Sequence, residues 1–299
     1  MSAASNGQIG AVVDRDLTTR RRVRQASAES GARPTFLHDV SAEELTDRLA
    51  VTKREFGCCL VIDDAYSALR TRINRLANIG DVISSAPHRA LLETSTGGVV
   101  ADEEVLPFAP ESLDLVLSNL TLHLTNDTPG TLIQIRRALK PDGLFSASLF
   151  GSETLTELRQ SLLAAEAEAA GGVSPRVLPF PDIRDLGSLL QRAGFALPVT
   201  DQDRLTVRYD TMFDLMRDLR LMGLANSLFQ RSRHPSKRSL FLRAAEIYAE
   251  RYSDRDGRIR ATFDYVYLSG WAPHESQQLP ARRGSANVSM KDALEGRDR

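Results

Sequence analysis

Short uninterrupted apolar runs take turns along this chain with longer segments whose apolar residues fall three or four apart. The runs Cys58–Ile62, Asp81–Ile83, Val99–Ala101, Leu113–Leu117 and Leu144–Phe150 are rich in aliphatic residues, too short for helices, and bounded by Asp, Ser, Gly or Pro. That is how strands buried on both faces of a parallel sheet read. Thr128 to Leu139 has apolar residues at Leu132, Ile135 and Leu139 and meets Lys140-Pro141-Asp142-Gly143, a turn that halts a helix. Phe36 to Phe56 reads as a helix in which Ser41 is the N-cap and Glu44 completes a capping box. Shorter helices are expected over Tyr66–Leu76 and from Pro87 to Leu92, since Pro is tolerated in a first turn. Successive βα units of this kind predict a parallel sheet with helices on both faces.

The second half continues the pattern with longer elements. Glu153–Ala169 and Asp182–Ala193 are amphipathic helices stopped by Gly171-Gly172 and Gly194. Val199–Tyr209 places Leu205, Val207 and Tyr209 on one face of a half-exposed strand. Two further helices follow, around Met212–Met222 and Leu240–Tyr248, with the methionines read as core filler. Arg258–Trp271 alternates Ile259, Ala261, Phe263, Tyr265 and Tyr267, which marks a last, antiparallel strand. The expected organisation is a disordered start over 1–13, a helical segment over 14–57, the main domain over 58–288 with a helical insertion at about 210–252, and a flexible tail over 289–299.

Polar residues gather where the strands end. Asp63 follows the first run, Ser84 the second, Asp102 and Glu103 the third, and Ser118 and Asn119 the fourth, with His123 a few residues on. In open α/β sheets the carboxyl edge of the strands is the ligand crevice, so these residues are the candidate site.

Composition narrows the class of function. Lys and Arg number 38 against 39 Asp and Glu, so no global field favours nucleic acid or a membrane surface. No apolar run approaches the roughly 20 residues of a membrane span. Cys58 and Cys59 are adjacent inside a strand, which disfavours a disulfide framework or a metal site and suits a reducing compartment. No Gly-x-Ser-x-Gly elbow supports a nucleophile-based hydrolase. Arg15, Arg20, Arg21, Arg22 and Arg24 read either as the solvated face of a helix or as part of a mitochondrial transit segment. Asp14, Asp16 and Glu29 favour the helix, and with it a bacterial cytoplasm over a mitochondrial matrix.

The motifs Val99-Val-Ala-Asp-Glu-Glu-Val-Leu-Pro-Phe108, Ser118-Asn-Leu-Thr-Leu-His123 and Leu139-Lys-Pro-Asp-Gly143 resemble class I S-adenosylmethionine-dependent methyltransferases of the type 11 group. Within that group, Phe150-Gly-Ser-Glu-Thr-Leu-Thr-Glu-Leu-Arg159, Asp185-Leu-Gly-Ser-Leu-Leu-Gln-Arg-Ala-Gly-Phe195 and Gly270-Trp-Ala-Pro-His-Glu-Ser-Gln277 are similar to the mitochondrial NADH:ubiquinone oxidoreductase complex assembly factor 5 group and its bacterial relatives. A looser similarity reaches the malonyl-carrier-protein methyltransferase of biotin synthesis. The resemblance implies a Rossmann-like sheet, S-adenosylmethionine as cofactor, Asp102 and Glu103 at its adenine, and Ser118 to His123 along the methyl-donor side. It further implies a role in modification or assembly of NADH dehydrogenase, with one of its iron–sulfur subunits as partner.

The sequence departs from that family at two cofactor contacts. The loop after the first strand, Val61-Ile-Asp-Asp-Ala-Tyr-Ser67, holds no glycine, although glycine is what lets backbone approach a ligand closely. Ser84 or Ser85 stands where an acid would grip the ribose hydroxyls, and serine is the weaker partner. Two functions therefore stand side by side: an enzyme with a remodelled cofactor loop, or a non-catalytic relative that binds a subunit through its C-terminal half. Trp271, His274, Glu275 and Gln277 are expected on that surface, at a pocket mouth, or as a loop cap over the core. No catalytic residue and no metal site follow from the pattern.

Overall fold

A computed structural model describes residues 10–27, 34–62, 67–92, 97–169 and 172–278. Of the start expected to be disordered over 1–13, residues 1–9 lie outside the described residues, as do the tail from 289 and the candidate Asp63. Strands β1 (Phe56–Ile62), β2 (Ile79–Ala86), β3 (Gly98–Val100), β4 (Leu113–Asn119), β5 (Leu139–Phe150), β6 (Ala196–Tyr209) and β7 (Ile259–Trp271) form one sheet in the order β3-β2-β1-β4-β5-β7-β6. The first five run parallel, and β7 is antiparallel to both β5 and β6. Strand order reverses between β1 and β4, the switch point at which such sheets open a crevice. Register sets the candidate residues level there: Ile62 pairs with Ser85 on one side and Ser118 on the other.

Alternation along the strands supplies two cores. Cys59 and Val61 of β1 face one cluster, which takes α2 (Phe36–Ala50), α3 (Ala68–Ile73), α5 (Thr156–Glu168), α7 (Met212–Leu221) and α8 (Arg238–Tyr252). Leu60 and Ile62 face the other, filled by α4 (Thr128–Ala138) and α6 (Ile183–Arg192). Both cysteines are free thiols, and burial pushes that of Cys59 up to about 12, so it stays protonated. The region around 210–252 carries α7 and α8, whose residues Met212, Leu215, Ile247 and Tyr248 belong to the first core. The methionines there are packing residues, as their spacing implies.

Local expectations fail at two places. Helix α2 begins at Phe36 after Thr35, so Ser41 is no N-cap; it is fully buried within the helix, its hydroxyl 2.6 Å from that of Ser148. The N-terminal pairing also begins before residue 14, because Val13 bridges Leu228 and is buried. Helix α1 (Arg15–Ser27) then crosses the carboxyl edge of the sheet. Its sequence RDLTTRRRVRQAS offers few apolar groups, so polar bonds dominate its attachment. Arg21 donates to the carbonyls of Ala225 and Asn226, and Asp14 pairs with Arg231 at 2.9 Å.

Candidate functional site

The acidic loop after β3 is folded by its own side chains. Asp102 bridges Val105 through the backbone, and its carboxylate accepts the amide of Glu104 at 2.8 Å. This tight turn points three successive carboxylates at one guanidinium, that of Arg15. Nη2 lies 2.8 Å from Asp102 and 2.8 Å from Glu103, and Nη1 lies 2.6 Å from Glu104. Burial opposes a charge on Arg15, but the fields of Glu103, Asp102 and Glu104 outweigh it and hold the pKa above the ordinary arginine value. Glu104 also accepts the amides of Asn126 and Asp127, and the Asn126 side chain accepts those of Val12 and Val13. The N-terminal segment, the acidic loop and the turn before α4 are thereby tied into one unit. The solvated-face reading of the Arg-rich segment holds for exposed Arg20 and Arg24 and fails for Arg15, whose side chain is 17% exposed.

The other predicted residues fall into distinct environments. Ser118, at the end of β4, is fully buried, and its hydroxyl has no hydrogen-bond partner. Asn119 is also buried; its amide donates to the carbonyl of His38 and its oxygen accepts the hydroxyl of Ser148, so it braces the strand ends. Ser84, on β2, accepts a hydrogen bond of 2.6 Å from Arg70 of α3. His123 is 9% exposed, its ring packs against Phe150 and Phe180 at centroid distances of 5.1 and 5.6 Å, and its Nδ1 has no partner.

His123 borders a cavity of about 220 Å³ that sequence reasoning missed. Its walls come from the β4–α4 turn, α5, α7, Phe241 of α8 and Phe263 of β7, and Thr18 and Arg22 of α1 form part of its lining. His38 of α2 joins His123 there, and burial first, then the charge of Arg22 on His38 and the pair's mutual repulsion on His123, pull both imidazoles down to about 3. Leu120 and Leu155, both lining residues, hold φ of 55°, a left-handed conformation that bulky side chains rarely take. A sequence signal for Arg15 did exist: a helix with so few apolar residues must be held by its charges. Nothing local announced His38.

Trp271, His274 and Gln277 sit elsewhere. Gln277 bonds Asp142 and the carbonyl of Ala272, beside the turn that leads into the buried part of β5, at the end of the sheet opposite the crevice. They cap a loop and do not form the mouth of the cavity.

S-adenosylmethionine can be tested against this arrangement. At the position that the sequence resemblance gives to a ribose acid, Ser84 is engaged by a cation; at the carboxylates it gives to the adenine, Asp102 and Glu103 hold Arg15. The loop that would approach the methionine part ends at Ser67, at φ 50°, without a glycine. As arranged, these residues do not fit the adenosine end of the cofactor. The unpartnered Ser118 hydroxyl is the one feature among them that leaves a polar group for a ligand.

A profile of the family described as methyltransferase domain matches residues 73–147, beginning after β1 and its loop. The arginine-hydroxylase NDUFAF5, mitochondrial, of Danio rerio is 39% identical over 288 residues, covering 94% of this chain and 89% of that protein. The malonyl-acyl-carrier-protein O-methyltransferase of Gallionella capsiferriformans is 36% identical over 175 residues, 58% of each chain. Among solved structures, a Bacillus halodurans protein assigned to the methyltransferases superposes with a TM-score of 0.55 at 14% identity, over 79% of this chain and all of the other. That likeness, with the strand order above, gives the class I methyltransferase fold, and the long match at 39% identity gives the kinship: this chain belongs to the methyltransferase-fold family of the arginine-hydroxylase NDUFAF5.

Proposed function

We propose that this protein serves the assembly of NADH dehydrogenase by modifying an arginine of an iron–sulfur subunit, and not by routine methyl transfer; the arginine-hydroxylase named among its relatives supports arginine as the residue modified. The observation that sets this reading against methyl transfer is the clamp on Arg15. The carboxylates with which the fold would meet adenosine are engaged with a guanidinium, and a cation stands at Ser84. S-adenosylmethionine, the cofactor implied by the fold, would reach Asp102 and Glu103 only with Arg15 withdrawn. A fold of this kind hosts more than one chemistry, so the sheet alone does not decide the reaction. The glycine-free loop favours a second reading, a non-catalytic protein that binds the subunit during assembly. The compartment we propose is the cytoplasm of a bacterium or the mitochondrial matrix; the mitochondrial label of the relatives supports the second. Among the described residues no helix is long and apolar enough to cross a membrane.

The test is mass spectrometry of NADH dehydrogenase from a strain lacking this chain. The modification is a hydroxylation in which one atom of dioxygen enters a C–H bond of the arginine and the other leaves as water with two electrons from an external reductant; the expected result is loss of that one oxygen atom from an arginine-containing peptide of an iron–sulfur subunit, restored by the wild-type gene. If every arginine peptide keeps its mass while less enzyme assembles, the binding reading replaces the enzymatic one. If neither changes, both are wrong.

A further inference from the structure

We infer that the cavity beneath α1 is a binding site for a small, uncharged molecule with an apolar body and one hydroxyl, which hydrogen-bonds to His123. About 220 Å³ is open there, and a cavity of roughly 150 Å³ accepts benzene, so about nine non-hydrogen atoms fit. Leu158 and Leu162 of α5, Met216 of α7, Phe150 and Phe180 give it apolar walls, against which a hydrocarbon body gains by leaving water. Two further wall residues, Leu120 and Leu155, are held at φ of 55°, the kind of strained backbone that ligand sites retain.

The polar lining decides what the ligand carries. Thr18, Thr154 and Asn226 border the cavity, and each already donates to a carbonyl, those of Asp14, Asp264 and Pro175. Arg176 is held by Glu166 at 2.6 Å, and Arg22 also has a partner, so neither waits for an anion. His123 differs. It is 9% exposed, packs against Phe150 and Phe180, and its Nδ1 has no hydrogen-bond partner among the described residues. A buried polar atom left unpaired costs free energy, which a ligand's hydrogen bond restores. A hydroxyl both donates and accepts, so it satisfies this nitrogen in either tautomer of the ring. Burial, ahead of the fields of His38 and Arg22, pulls the imidazole down to about 3, so the ring meets the ligand uncharged. A carboxylate or an ammonium entering here would give up its water for a neutral partner, which does not repay the loss. A guanidinium is disfavoured on the same ground, so this cavity is not where the arginine of the reaction proposed above would be held.

Calorimetric titration of the full chain with para-ethylphenol, ethylbenzene, para-toluate and para-methylbenzylammonium tests it. Para-ethylphenol should bind with a dissociation constant below about 1 mM, and each ion at least about tenfold more weakly. His123→Phe keeps an aromatic ring and loses the nitrogen. It should weaken para-ethylphenol about fivefold and leave ethylbenzene unchanged, a split that a merely structural role of His123 would not produce. Leu158→Trp, which fills the space, should abolish binding of both. Unfolding midpoints of the variants are measured in parallel; if Leu158→Trp melts early, Met216→Trp fills the same space from α7. Either ion binding as tightly as para-ethylphenol would overturn the inference, as would a His123→Phe variant that leaves para-ethylphenol unchanged or weakens both uncharged ligands alike. So would a folded filling variant that still binds para-ethylphenol, or no binding of that ligand by the wild type at about 5 mM.

Discussion

Replacing Arg15 with Met removes the guanidinium while keeping much of the stem that packs under α1. The three partners lose unequally. Asp102 is half exposed and can return to water, so its share is under about 1 kcal/mol. Glu104 keeps the amides of Asn126 and Asp127 and loses little. Glu103, 5% exposed, loses the Arg15 side of a buried pair, and breaking one side of a buried pair costs about 3 kcal/mol or more. The expected loss is therefore about 3 kcal/mol, nearly all of it through Glu103. Urea denaturation of the wild type, Arg15→Met, Glu103→Leu and the double variant measures it as a cycle. The double variant should recover most of the loss, giving a coupling of about 2 kcal/mol. Amide exchange over residues 15–27 should accelerate in Arg15→Met even where global stability changes less, because polar bonds dominate the attachment of α1. A single variant within about 0.5 kcal/mol of wild type, with α1 exchange unchanged, would refute the clamp.

Two further outcomes follow from buried polar groups. Ser118→Ala removes a hydroxyl that has no partner, so stability should stay equal or rise by about 1 kcal/mol; a loss of more than that in a denaturation curve would mean the hydroxyl is satisfied in solution. His38 and His123, held near 3 in the fold against 6.5 when unfolded, bind more protons in the unfolded state between those values. Stability should thus be full above about pH 6.5 and fall on acidification toward pH 3, by about 1.4 kcal/mol per pH unit for each histidine. His123→Phe should flatten that slope over the same window, and an unchanged slope in denaturation curves from pH 7 to 4 would show that the imidazole is charged or exposed.

What could be read in advance divides by range. Strand β1 was legible because a run buried on both faces is apolar without interruption, and β7 because one residue in two is aromatic or aliphatic. Asp102 and Ser118 were legible as strand-end residues, a property of local pattern. Ser41 was misread because its chemistry suits a cap, while the tertiary bond to Ser148 lies 107 residues away. Arg15 was misread for the same reason: helical spacing tells which charges share a face, and only the fold brings the acidic loop to that face. The cavity needed α1, α5, α7 and the β4–α4 turn together, and no single segment carries its signature.

The account rests on Arg15 occupying the contacts we propose for adenosine, and titration of the purified full chain with S-adenosylmethionine by calorimetry tests that most directly. The account predicts that Arg15→Ala binds at least about tenfold more tightly than the wild type, a difference of roughly 1.4 kcal/mol, and that the added Asp102→Ala change reverses the gain. Micromolar binding by the wild type, unaltered in Arg15→Ala, would contradict it.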